Sequence, residues 1–185
     1  MKKLFLFTII LFCMGINMEL QAQNQNQRIL IAYFSWSGNT RIVAQHIHLA
    51  VGGDIFEIKP AKPYPTNYQA TLNIARQELQ TDDRPELESN VSNMAEYDII
   101  FLGFPNWLNT IPMIIYTFLE SHDFRGKTII PFCTHGSGGL GRSIVDIRRL
   151  TPGATLLEPL GIRGADVRNS QNDVIAWLRR LNMVR

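Results

Sequence analysis

Three short stretches of the chain carry groups able to hold a small anionic or planar ligand. Ser35-Trp36-Ser37-Gly38-Asn39-Thr40 supplies three hydroxyls, one amide side chain and a run of backbone N–H groups just ahead of a helical pattern. Amide protons at a helix N-terminus suit a phosphate. The stretch lacks the Gly-Lys-Ser/Thr ending of a triphosphate loop and the G-x-G-x-x-G of a dinucleotide site, so a mononucleotide fits it better. Serine, threonine and asparagine also cap helices without any ligand, and the hexapeptide alone leaves both readings open. Pro105-Asn106-Trp107 places an aromatic ring in a loop after an apolar run, and Thr134-His135-Gly136-Ser137-Gly138-Gly139 is rich in glycine. A backbone of that kind can approach a ligand closely.

Other reactive side chains are dispersed. His46 and His48 stand two apart on a predicted helix, so they diverge and cannot share a metal. No zinc or iron–sulfur spacing occurs, and no metal is expected. Cys133 sits inside an apolar run and reads as a buried small residue rather than a redox thiol.

The elements that must position these loops alternate regularly. Ile29 to Phe34 is continuously apolar, too short for an independent helix, and reads as a central parallel strand. Thr40 to Val51 then shows helical spacing through Val43, Ile47 and Ala50 or Val51. Strands are expected at Asp54 to Ile58, Asp98 to Phe104, Thr128 to Thr134 and Ala154 to Gly161. Helices are expected at Asn67 to Leu79, Ile111 to Glu120, Arg142 to Leu150 and Ser170 to Leu181, with Tyr68, Leu72, Ala75 and Leu79 on one face of the first of these. Most of Thr81 to Asp98 reads as a solvated connection. Five strands and five helices in alternation imply a doubly wound α/β sandwich, which binds ligands beyond the carboxyl ends of its strands. The three loops named above lie at those ends.

At this point the chain resembles the flavodoxin family. Ile31, Tyr33, Ser35, Gly38, Thr40, Ala44 and Ile47 match that family's phosphate-loop signature, with Ala32 as a departure where a larger apolar residue is usual. The likeness continues through Gly103 to Trp107, Ile111 to Met113, Phe118 to Glu120 and Phe124 to Gly139, and spans Ile29 to roughly Leu181. It implies a five-stranded parallel sheet in the order 2-1-3-4-5 with helices on both faces. It also implies FMN as cofactor, with Ser35, Trp36, Ser37, Gly38, Asn39 and Thr40 at the phosphate. Pro105, Asn106 and Trp107 would meet the isoalloxazine ring, Trp107 by stacking; Thr134, His135, Gly136 and Gly139 would lie at its pyrimidine edge. His135 is the candidate for stabilising negative charge or handling a proton there, although an exposed loop histidine reads the same way. Tyr64, amid Pro60, Pro63 and Pro65, either closes over the flavin from the side or belongs to a stiff surface loop, and Arg163 reaches a substrate or a neighbouring loop. No glycine occurs between Pro105 and Thr110, where Asn106 and Asn109 best tolerate positive φ.

The resemblance implies an electron carrier between redox protein partners, or alternatively an FMN-dependent NAD(P)H:quinone-type oxidoreductase using a small-molecule acceptor. A binding module without electron transfer is a third class. Carrier flavodoxins are commonly strongly acidic, and this chain departs from that. It has 185 residues, 45% hydrophobic and 18% charged, which is ordinary globular composition. Lys2 and Lys3, the apolar run Leu4 to Ile16 and the small residue Ala22 read as a secretory signal peptide, with residues 23–28 as linker and 29–185 as the folded domain. At about 13 residues the run is short for a spanning helix, so no stable membrane insertion is expected after cleavage. A tether through an uncleaved signal, or a lipid on Cys13, are the alternatives. Without Lys2, Lys3 and Glu19 there remain 16 basic and 15 acidic side chains, a net charge near +1 with no block that suggests nucleic acid. An exported, periplasmic or cell-envelope location follows; Lys-Lys without a twin arginine points to export of an unfolded chain that acquires its cofactor after crossing.

Overall fold

The computed structural model describes residues 27–185; the expected signal peptide and most of the linker lie outside them. Alternation of side chains along each strand decides the architecture, because successive residues face opposite sides of a sheet. Strand β1 (Ile29–Tyr33) sends Leu30 and Ala32 to one core and Ile31 and Tyr33 to the other. Strand β3 (Ile99–Pro105) divides likewise, with Ile100, Leu102 and Phe104 opposite Ile99 and Phe101. Both strands are apolar throughout because neither face is wet.

Helices cover the two faces. Helix α1 (Asn39–Val51) and α5 (Gln171–Arg180) pack together over Ile31, Phe101 and Ile130, with Trp177 fully buried and edge-on to Phe101 at 5.9 Å. On the other face lie α2 (Tyr68–Thr81), α3 (Met113–Glu120) and α4 (Ser143–Leu150). Helix α2 starts where Asn67 accepts a hydrogen bond from the Ala70 amide at 3.0 Å, an N-cap that satisfies one orphan donor.

All strand pairs are parallel. Strand β1 lies between β2 (Asp54–Glu57) and β3, β3 pairs with β4 (Thr128–His135), β4 pairs with β5 (Thr155–Leu156), and the order is β2-β1-β3-β4-β5. The expected single strand Ala154 to Gly161 is instead two, β5 (Thr155–Leu156) and β6 (Leu160–Arg163), which pair with successive parts of β4. Pro159 interrupts the ladder because it has no N–H to donate. The neighbouring Glu158 carbonyl turns to accept from Trp177 Nε1 at 2.9 Å instead. The lane order holds and the strand count becomes six.

The connection from Thr81 to Asp98 is mostly exposed, but Val91 and Met94 enter the core beside a 3-10 turn at Met94–Glu96. The sheet itself is packed without slack at its centre: a Cβ on Gly103 would stand 2.2 Å from the Phe132 ring. Gly103→Ala therefore forces the ring or the strand to move, and is expected to cost about 1–3 kcal/mol. Urea denaturation checks this, and an unchanged midpoint would contradict such close packing.

Candidate functional site

The loops after β1, β3 and β4 meet at one edge of the sheet around a cavity of about 300 Å³. In the first loop the chain turns into α1 through Gly38, whose φ of 87° is a conformation that costs glycine little. No side chain caps this helix, and its first turn holds no acidic residue. Among the described residues, none of the backbone amides of residues 35–40 donates a hydrogen bond to the protein; the Ser35 hydroxyl accepts from the Arg41 amide at 3.2 Å, one turn further in. Six free amide protons at a positive helix end form an anion cradle.

The second loop is a two-residue hairpin turn. Trp107 and Thr110 exchange backbone hydrogen bonds of 2.9 and 3.0 Å, and Leu108 and Asn109 both have positive φ, 52° and 69°. Those angles belong to a turn that usually takes Asn-Gly. Asn109 is where positive φ was expected, whereas Leu108 takes the role expected of Asn106. A leucine there stores about 1–2 kcal/mol of local strain. The surroundings hold it in place. The Asn109 carbonyl accepts from the Arg142 amide at 2.9 Å, and the Thr110 hydroxyl donates to the buried Asp146 carboxylate. Asp146 also takes two bonds from the Arg142 guanidinium, at 2.8 and 3.1 Å. Burial opposes ionisation of Asp146, but hydrogen bonds from Arg142, Thr110 and Tyr116 outweigh it and hold the carboxyl below its ordinary range.

Asn106 does different work. Its amide donates to the Thr134 carbonyl at 2.8 Å and its side chain to the Gly139 carbonyl at 2.6 Å, so it joins the second loop to the third. Thr40 and Thr134, both buried, share a hydrogen bond of 2.8 Å that joins the first loop to the third.

Nine of the thirteen residues expected at the site line the cavity: Trp36, Ser37, Asn39, Pro105, Asn106, Trp107, Thr134, His135 and Gly136. Ser35, Gly38, Thr40 and Gly139 do not; they shape or tie the loops as described. The Trp107 ring has Tyr64, Phe34 and Trp36 around it at 5.0, 5.4 and 6.4 Å, all edge-on. Tyr64 itself stands behind Trp107, outside the cavity, and donates to Glu78 at 2.9 Å. His135 lines the cavity, and its buried Nδ1 has no hydrogen-bond partner among the described residues. Arg163 ends β6 in register with His135, and the next residue, Gly164, donates its amide to the His135 carbonyl at 2.8 Å and lines the cavity.

Helix α2 forms a wall that the sequence does not announce. Tyr68, Thr71, Leu72 and Ala75 line the cavity, and Tyr68 is 67% exposed, tilted against Trp36 at 6.3 Å. Tyr68, Leu72 and Ala75 do share a face, as their spacing indicates, but that face meets the ligand space as much as the core. Cys133 is buried, and burial pushes its thiol up to about 12, so it is inert packing. Among the described residues no group of three ligating side chains could hold a metal, and no helix is long and apolar enough to cross a membrane.

A family model described as Flavodoxin matches residues 28–181. No curated protein sequence matches significantly. Among solved structures, a candidate flavoprotein from Bacteroides uniformis ATCC 8492 is 36% identical, covering 83% of this chain and 99% of its own, with a TM-score of 0.74. A second, from Bacteroides eggerthii DSM 20697, is 34% identical over 83% and 97%, with a TM-score of 0.73. A flavoprotein in complex with FMN from Lactobacillus acidophilus NCFM shares the fold at 22% identity over 77% and 97%, with a TM-score of 0.63.

The clamp on the second loop has a measurable consequence. Asp146→Ala leaves the Thr110 hydroxyl and the Arg142 guanidinium without their acceptor, and is expected to cost about 2 kcal/mol in thermal or urea unfolding. Because the folded carboxyl lies below the unfolded value of about 3.9, its contribution is complete above that pH and is lost as pH falls through the lower folded value. Wild type and variant should thus converge in acid; a constant gap down to pH 2 would contradict the clamp.

Proposed function

The chain belongs to the flavodoxin family, and on that premise we propose that it binds one FMN at the described edge of the sheet and carries electrons between redox protein partners. The observation that carries this reading is the row of six free amides at residues 35–40, beside a cavity walled by tryptophans. Those amides and the hydroxyls of Ser35, Ser37 and Thr40 are the donors expected for the phosphate, with Thr40 already engaged to Thr134. No lysine or arginine lies in the loop, so the helix end and amide dipoles carry the attraction.

FMN, when bound, supplies reversible electron transfer that the side chains cannot. The protein's part is to bind, orient and tune it. Trp36 and Trp107 offer aromatic surface, which desolvates a planar ring and disfavours added negative charge on it. His135 and Gly136 lie at the cavity's third side, where a backbone amide or the imidazole can donate to a polar ring edge. The hairpin clamp through Asp146 holds Trp107 against movement, so the ligand meets a preformed wall.

We further propose that residues 1–22 direct export and are removed, and that the near-neutral domain takes up FMN after crossing. N-terminal sequencing of protein from the cell envelope should then begin near Gln23. Full-length protein confined to the cytoplasm would contradict this.

The cofactor proposal is tested by fluorescence titration. Added FMN should be quenched with micromolar or tighter affinity, and Trp107→Ala should weaken binding about tenfold, near 1.4 kcal/mol. Colourless protein that leaves FMN fluorescence unchanged would overturn the proposal. Rapid NAD(P)H oxidation with a soluble quinone would replace the carrier by the oxidoreductase.

A further inference from the structure

A second cavity, of about 560 Å³, lies on the far side of Tyr64 from the tryptophan-walled site. Its frame is rigid. Pro60 bridges to Leu87, the Ala61 amide donates to the Glu86 carbonyl at 2.8 Å, and the Glu88 amide donates to the Lys59 carbonyl at 2.8 Å. Four proline rings, Pro60, Pro63, Pro65 and Pro85, together with Ile74, supply apolar surface. Prolines hold such a surface without side-chain entropy to lose on binding.

The polar lining is one-sided. Glu78, Asp83 and Glu86 face this space, with Lys62 as the single cation, so the lining is net negative. Lys62 is exposed and makes no ion pair with Glu78, Asp83 or Glu86 among the described residues. Glu78 is 8% exposed. Its Oε2 accepts from the Tyr64 hydroxyl at 2.9 Å, and its Oε1 takes no hydrogen bond among the described residues, on a side chain that lines the cavity. Burial, with Asp83 adding to it against the Tyr64 bond, pushes this carboxyl above its ordinary range. A carboxylate desolvated to this degree beside another of like charge is a costly arrangement that a cation would relieve.

An inorganic ion does not account for the site. No three ligating groups converge in the described residues, and the space greatly exceeds one ion. Proline and isoleucine surface beside an open carboxylate oxygen matches an aliphatic stem ending in a planar, multi-donor cation.

We propose that this cavity binds an alkylguanidinium or alkylammonium group, its charged head on Glu78 Oε1 with Asp83 and Glu86 around it, and its stem against the prolines. The source is either a free small amine or an arginine or lysine side chain of a partner. The site does not depend on FMN, so the two proposals fail independently.

Calorimetric or NMR titration of the purified protein with butylguanidinium, against the uncharged butylurea of the same shape, tests it. Butylguanidinium should bind saturably and at least tenfold tighter than butylurea. Glu78→Gln should weaken it at least fivefold, and Asp83→Asn with Glu86→Gln should weaken it too, at exposed positions where folding is not at risk. A capped arginine peptide that binds tighter than butylguanidinium supports the site and identifies a protein source; one that binds more weakly supports it and identifies a free amine. Equal binding of butylurea, no saturation, or binding unchanged in both variants would overturn the proposal.

Discussion

A backbone N–H with no acceptor is costly when buried and attractive to an anion when half-open. Most of this chain satisfies its amides in helices and in one parallel sheet. The start of α1 does not: six consecutive amides stand at the carboxyl edge of the sheet with no acceptor among the described residues. The parallel arrangement makes this place, because only there do β1, β3 and β4 all end together and their loops converge. A substituent that capped α1 internally would gain local stability and lose the cradle.

Around that row of donors, the surrounding loops are joined by few but specific links. The Thr40–Thr134 hydroxyl pair and the two bonds from Asn106 make the third loop common to the other two. Asp146 then fixes the strained hairpin at Leu108 and Asn109 from the far side. Backbone strain of about 1–2 kcal/mol is tolerable when a buried carboxylate bonded on several sides over-determines the turn. The aromatic rings of Phe34, Tyr64 and Trp36 complete the support by meeting Trp107 edge-on.

Much of this is legible in the residues. Unbroken apolar runs at β1 and β3 announce a sheet covered on both faces, and helical spacing locates α1 through α5 with small shifts at the ends. The loops at the carboxyl ends follow from topology alone, and the types in residues 35–40 say what they would bind. Local pattern fails where tertiary partners decide. Pro159 splits an edge strand whose apolar run continues past it, and Leu108 sits at positive φ because Asp146 and Arg142 hold the loop. Spacing gives the face of α2 but not that the face serves two neighbours, so Tyr68 and Thr71 stay hidden as wall residues. The Asp146 clamp joins Thr110 to a residue 36 positions away, and no local signal marks that pairing.

Flavin retention at this edge of the sheet rests on the phosphate cradle more than on any aromatic contact, and comparing FMN with riboflavin isolates the cradle, since the two differ only by the phosphate. Charge-assisted hydrogen bonds of about 1.5–3 kcal/mol each predict FMN to bind at least a hundredfold tighter than riboflavin at neutral pH. Equal affinity for the two would mean that the amides of residues 35–40 do not hold the ligand, and would contradict the account at its base.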